Sequence, residues 1–511
     1  MEMDNNNEIS KVLRYIEENM RVTEQTSIEY LDAQGNIDRL SLKQNHIVFG
    51  RRGSGKSLLL KSLLLKSLRE EDGFSCISVN MEDFKDISFP NSIIQVQKAI
   101  IKQLIPIVSG IHGKLTLNYW KKSMPVIGRL KKQLKYLDRQ LADPDEYDQS
   151  VKEKKAGKVY GRGKVKSGGN ELESGAEASE EVETSKQITI DKLDILKNRL
   201  TDIKELFFES SALIGKDIYL ILDDFYFIKK NDQPYFLDFF HRVSKNTPLY
   251  LKVATIKHRS KLYVQGESYI GIELPHDAQP LNLDYSLEDF DSLVNFMKNL
   301  LNHINEKVKV NIKYSDLITD NAFRFLCLAS GGVPRDFFSL LISLGPSLGG
   351  EKSISKPNVI EKAIENIANK MEAFKKDSGD EEVLLEHYLK YIRTSIIDKK
   401  KWNAFLVSNT EVQNHPQINQ AIKELVDMRF LHLVNPNTSA ASSDGTRYSA
   451  YMLDIGLFTN SNPRKFQQIE PGQRDEHHRE DKIRSAPKLN IEEFSQEMKT
   501  LNISQSLSTT D

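Results

Sequence analysis

Gly50-Arg51-Arg52-Gly53-Ser54-Gly55-Lys56-Ser57 decides the reading of this chain. The eight residues match G-x-x-x-x-G-K-[ST]. They stand between a short apolar run, Ile47-Val48-Phe49, and a leucine-rich helical stretch over 57–68. Glycines give the loop dihedrals that other residues avoid, so successive backbone N–H groups turn inward around an anion. The helix behind the loop presents its positive end to the same anion. Lys56 is expected to reach the β- and γ-phosphates and the Ser57 hydroxyl to ligate Mg²⁺. The chain from Gly50 through Arg51, Arg52, Gly53, Ser54, Gly55 and Lys56 to Ser57 and Leu58 is expected to line the cradle. The pattern reads as a site for ATP with Mg²⁺.

A second apolar run, Ile218-Tyr219-Leu220-Ile221-Leu222, ends in Asp223-Asp224. A buried strand of this kind would deliver two carboxylates beside the glycine loop. Asp223 is expected to hold Mg²⁺ and Asp224 to orient the attacking water. Aspartate is one methylene shorter than glutamate, and a misplacement of about 1 Å costs on the order of 100-fold in rate. Slow turnover follows, suited to a switch. Leu249–Thr255 reads as a further strand whose end places Thr255 near the γ-phosphate. Arg259, four residues on, either acts on a neighbouring subunit's nucleotide or belongs to a basic surface turn. In Gly331-Gly332-Val333-Pro334-Arg335, proline suits the first turn of a helix. An arginine there opposes the helix dipole unless an anion is near, which points Arg335 at a phosphate.

Strand patterns at 47–49, 74–79, 217–222, 249–255 and 281–283, separated by helical stretches, predict a mostly parallel α/β sheet covered on both faces. Residues 1–45 hold one amphipathic helix around Ile9–Met20 and a polar leader. The core spans 46–285. It is interrupted over 112–210 by two helices with apolar stripes, Ile127 to Leu141 and Leu193 to Phe207, expected to project as a hairpin. Between the stripes, 142–190 carries seven Lys or Arg within 151–166 and six Glu within 171–183, and is expected to be disordered. Helices near 286–305, 315–329, 334–343 and 357–373 form an all-α unit over 286–373, with Ser286 as the first cap. Residues 382–458 form a third unit, and 459–511 are expected to be a disordered tail.

Across 511 residues, 39% hydrophobic and 28% charged, the composition is globular and too long for one core. A net charge of −1 leaves nucleic-acid binding to local patches. Cys76 and Cys327 both lie in apolar runs and read as reduced core residues of a cytoplasmic protein. No signal core precedes the fold, and no apolar stretch is long enough to span a membrane.

Taken in order, GRRGSGKS at 50–57, the Ile221-Leu222-Asp223-Asp224 strand end, the Lys252–Thr255 strand and the Ser330–Arg335 element resemble AAA+ ATPases. The nearest likeness is to the branch that holds origin-recognition initiators and STAND signalling ATPases, over about 46–111 and 213–370. The resemblance implies that Gly50–Ser57 are Walker A, Asp223 and Asp224 Walker B, Thr255 sensor 1 and Arg335 sensor 2. It implies a helical lid and a homo-oligomer. Asp at 224, Thr at 255 and the inserted hairpin depart from the commonest pattern and resemble a bacterial group suspected of roles against phage. Helices near 383–397, 401–407 and 416–428, then strands 430–434 and 447–453, resemble a winged helix. DNA binding by that unit, with Lys399, Lys400, Lys401 and Arg447 supplying phosphate contacts, is the alternative function. No effector motif is visible in the chain, so a protein partner is expected to carry the output.

Overall fold

A computed structural model of the chain describes residues 2–20, 29–69, 73–110, 117–142, 146–151, 186–265, 269–285, 287–348, 353–376, 380–442, 444–458, 466–471 and 481–498. Most of the charged stretch expected to be disordered, 152–185, lies outside them, as does Ser286.

Five parallel strands form the central sheet: β1 (His46–Phe49), β2 (Phe74–Asn80), β3 (Asp217–Asp223), β4 (Leu249–Thr255) and β5 (Gln279–Asn282). Their order is β2-β3-β4-β1-β5. Four of them are short, mostly apolar runs buried on both faces, as parallel sheets with helical crossovers require, while the edge strand β5 buries only Leu281. Because all five run the same way, the residues that follow Phe49, Asp223, Thr255 and Asn282 emerge along one edge. Ligands of open α/β sheets bind at that edge.

The inserted helices differ from the expectation. Leu117–Ala142 and the pair Lys192–Asn198 and Leu200–Ile214 do not project. Leu130, Leu137, Leu196 and Phe207 are buried in the same apolar cluster as Ile77, Ile218 and Leu251 of the sheet. The long helix Asn91–Ser109 lies in that layer too. The stripe expected as one helix from Leu193 to Phe207 is divided between two helices, and each five-residue stripe is too much apolar surface to leave in water, so all three inserted helices fold back onto the sheet. Arg129 joins the first and last of them through Glu205 at 3.0 Å and through Glu209. Glu146–Val151 pairs antiparallel with Lys186–Asp191, a short ribbon inside the stretch expected to be disordered.

Helices Phe290–Val308, Asp320–Ala329, Pro334–Ser343 and Lys356–Lys376 form the helical unit. Asp289 caps the first by accepting from Ser292 N–H. The N-terminal helix Glu2–Glu18 buries Ile9, Val12 and Ile16 in this unit's core. In the C-terminal unit the helix Asp380–Arg393 continues as a π-turn over Thr394–Lys400. The second helix expected there, 401–407, is instead a strand. Ala404–Ser408 (β6), Leu431–Ser439 (β7) and Arg447–Leu453 (β8) form an antiparallel sheet in the order β6-β8-β7. Phe405-Leu406-Val407 is a short, wholly buried apolar run, for which periodicity does not separate helix from strand. The segment expected to be a disordered tail is also partly built in. Ile469, Ile483, Leu489, Ile491 and Phe494 are buried in the core shared by the two C-terminal units.

Candidate nucleotide site

The glycine loop turns out of β1 at the sheet edge and enters the helix Lys56–Ser67. Gly53 and Gly55 have φ of 88° and 97°, where a side chain is strained. A Cβ on Gly53 would also stand 2.7 Å from Arg335 Cβ. Lys56 is 5% exposed, and its ammonium donates to Gly50 O at 2.8 Å and Arg51 O at 3.1 Å. Burial lowers its pKa, opposed by Asp224, Asp223 and Asp284. The cation is therefore stored inside the loop, facing the acids.

Ser57 stands close enough to the Asp223 carboxylate to pull its pKa down, so the helix start and the end of β3 meet two strands apart. Burial raises the Asp223 pKa, while Ser57, the Asp224 N–H and Lys56 pull it down. Asp223 Oδ1 accepts from that N–H at 2.8 Å. Asp224 sits in the left-handed region at φ 51°. Its pKa is pushed up to about 6, by burial first and by Asp223 second. A hydroxyl and a carboxylate oxygen side by side are hard donors. They fit Mg²⁺, which takes few protein oxygens and keeps several waters. Among the described residues no group of three or more His, Cys, Asp or Glu is placed to hold a metal ion.

The remaining sequence candidates fall around this edge. Thr255 ends β4, is fully buried, and shares its hydroxyl with Ser260. Its carbonyl accepts from Gly50 N–H at 3.2 Å, so it abuts the loop through backbone. Arg259 closes the turn Lys257–Arg259, and its charge acts on Asp427 and Tyr226 of the same chain. Arg335 opens the helix Pro334–Ser343, and its N–H donates to Gly53 O at 3.4 Å. Its guanidinium lies within the field of Asp224, Arg52 and Arg429. Arg51 turns away from the loop: Nη2 donates to Gly331 O at 2.9 Å and Tyr285 O at 3.3 Å, and its N–H to Asp284 Oδ1. Ser54 Oγ is buried without a partner, and Leu58 is half-buried.

Several site residues escaped the sequence reading. The Tyr30 ring stands 3.6 Å from where a Gly55 Cβ would lie. Arg429, at φ 68°, donates to Asp336 Oδ1 at 2.6 Å and to the loop carbonyl Arg52 O at 3.3 Å. His432 is 2% exposed, faces Asp454 Oδ2 at 3.2 Å, and packs so closely on Gly331 that no Cβ fits between them. A cavity of about 230 Å³ between the loop and the C-terminal unit is lined by Gly50, Arg51, Asp284, Gly331, Asp427 and His432. Tyr30, Arg429 and His432 carry no local motif. The one available signal was the positive φ at Arg429, and that is visible only in three dimensions.

The five-stranded parallel sheet, the glycine loop and the acid-tipped strand beside it make a P-loop NTPase-like fold. No family model and no curated protein sequence matches the chain. Among solved structures, the Orc1 protein of Aeropyrum pernix in complex with DNA is similar over 85% of this chain and 93% of its own, at 12% identity and a TM-score of 0.35. No helix among the described residues is long and apolar enough to cross a membrane.

Proposed function

We propose that this chain binds ATP with Mg²⁺ in the loop Gly50–Ser57, hydrolyses it slowly, and uses the nucleotide state to control its own assembly. The observation that carries the reading is the approach of Ser57 to the Asp223 carboxylate, with Lys56 beside them. It joins two motifs that lie 166 residues apart in sequence at the spot where a nucleotide's Mg²⁺ would be needed.

In this reading the loop amides and Lys56 hold the β- and γ-phosphates, and Ser57 with Asp223 holds Mg²⁺. When bound, the ion neutralises charge that develops on the phosphate oxygens. Asp224 accepts a hydrogen bond from the attacking water and takes its proton as the water oxygen bonds to the γ-phosphorus and the β–γ bridge breaks. Its side chain is one methylene shorter than that of glutamate, which suits slow turnover. Arg335 reports the γ-phosphate to the helical unit, acting as the lid of an AAA+ ATPase.

The switch rests on contacts of both C-terminal units with the loop. Arg335 N–H reaches Gly53 O, Arg51 reaches Gly331 O, and Arg429 reaches Arg52 O. A nucleotide that reshapes the loop therefore favours one arrangement of these units over another. The C-terminal unit is read as a winged helix used for protein contact. Its helix Pro416–Asp427 buries Ile418, Ile422 and Leu425 and carries Lys423 beside His258 of the core, which leaves little of it for a DNA groove. A partner effector follows from the chain carrying no effector motif of its own, and an antiphage setting stems from the family resemblance.

Lys56→Ala tests the reading. The variant should lose at least about 100-fold in ATP affinity by titration calorimetry, the magnitude of a lost charge-assisted contact to phosphate. Unchanged affinity refutes the site.

A further inference from the structure

Residues 481–498 sit on the C-terminal unit in the way a bound peptide would. Strand β6 is the edge of its sheet, wholly buried and apolar up to Ser408, and such an edge invites pairing. The C-terminal segment supplies it: Leu406 N–H donates to Pro487 O at 2.9 Å, and Leu489 N–H donates to Leu406 O at 2.8 Å. Beyond the pairing, 491–498 is helical and inserts Phe494 flat against Tyr391, ring centroids 4.2 Å apart, and edge-on to Tyr388 at 5.2 Å. Ile483, Ala486, Leu489, Ile491, Phe494 and Met498 are each at most 5% exposed. Lys488 Nζ adds an ion pair to Asp444 at 2.5 Å. Strand addition followed by a helix in an apolar groove is a general form of peptide recognition.

Nine residues, 472–480 (GQRDEHHRE), join this segment to the rest of the unit. Extended, they reach roughly 30 Å. All but Gly472 are polar or charged, so the stretch offers no apolar anchor of its own. The same contacts are therefore open to the same segment of a neighbouring chain at that reach, and nothing in the groove distinguishes the two sources. In a lone chain the covalent connection presents the segment to its own unit ahead of any free copy. In an assembly the neighbour's segment is presented at a comparable concentration, and exchange then loses no contact.

We propose that residues 481–498 are an exchangeable clip, and that in assembled protein the clip of one copy docks on β6 and the Tyr388–Tyr391 face of a second copy. The proposal rests on the assembly part of the function proposed above. It would make the assembly outlast the nucleotide that triggered it, because clips exchanged between copies have to release before the chains part.

The test uses the full chain in two isotopic forms. Light chains carry benzoylphenylalanine in place of Phe494, and heavy chains are unsubstituted. The forms are mixed, treated with ADP, ATP or a slowly hydrolysed analogue, separated by size and irradiated. Peptides that contain Tyr388 and Tyr391 should be captured in light form from monomers, and in light and heavy form from assemblies. Photo-methionine in place of Met498 is a second, nearly isosteric probe against misfolding at position 494. Light-only capture from an assembly overturns the clip and leaves assembly standing. Absence of any assembly overturns the clip together with the assembly reading. Failure of both probes to reach this face in monomers overturns the docking itself.

Discussion

Replacing Arg429 by glycine should uncouple the C-terminal unit from the glycine loop. Arg429 lies between Asp336 Oδ1 and Arg52 O, and the side chains of Arg429 and Asp336 are 17% and 9% exposed. Breaking one partner of a buried pair costs about 3–5 kcal/mol when the other is left alone. Here Lys370 stays 3.2 Å from Asp336, so the carboxylate keeps a cation and the loss falls to about 2–3 kcal/mol. Glycine also relieves the left-handed backbone at φ 68°, worth about 1 kcal/mol. That relief is felt whether or not the units are docked, so it cancels in the docking equilibrium and limits the loss of global stability. The docking equilibrium should therefore shift by about 30- to 150-fold. Release of a fluorescent ADP analogue, followed by stopped flow, should accelerate by a similar factor, while the thermal midpoint moves by only a few degrees. An unchanged release rate in a folded Arg429→Gly protein would refute the coupling.

Three further outcomes are expected. Asp224→Asn should keep ATP binding within about twofold and lower the rate of phosphate release by about 10²–10⁴; an equal loss of affinity and rate would show that Asp224 only holds the nucleotide. The Asp427 carboxyl is pushed up to about 7, by burial first, with Arg259 and Arg51 opposing and Asp284 and Glu424 reinforcing. The folded state thus keeps a proton that the unfolded chain releases near pH 4, so Asp427 makes the protein lose up to a few kcal/mol as pH rises from 4 to 7. Asp427→Asn should flatten that slope in denaturant titrations, and a slope identical to the parent's would count against it. Lys252, fully buried on β4, donates to Leu42 O and Gln44 O and lies over the Tyr219 ring, and burial lowers its pKa to about 7. Here the unfolded chain holds the extra proton, so stability should rise between pH 7 and 10. Lys252→Met should abolish that rise; if the rise persists, another group causes it.

Much of the site's chemistry was legible because it is local. A loop that must surround phosphates needs glycines at fixed offsets, and a strand that must deliver a carboxylate needs an apolar run before it. Gly50–Ser57 and Asp223 carry those signatures within eight residues each. The errors have physical causes too. Residues 404–408 form a run too short to separate helix from strand. The tail read as disordered because its six apolar anchors are diluted among Ser, Gln, Glu and Arg. The inserted stripes were read as helices but not as part of the core, since periodicity shows that a face is apolar and not what covers it.

By itself, then, the amino-acid order determined the α/β class, the glycine loop after β1 with its lysine, and the two acids at the end of β3, because each depends on neighbours within a turn or a strand. Only the tertiary structure decided that Arg429, 377 residues from Arg52, bonds its carbonyl, that Tyr30 covers Gly55, and that 481–498 completes the sheet edge at β6. Such contacts join segments whose separation along the chain leaves no periodic trace. They are set by which apolar faces bury one another, and the polar partners are placed as a consequence.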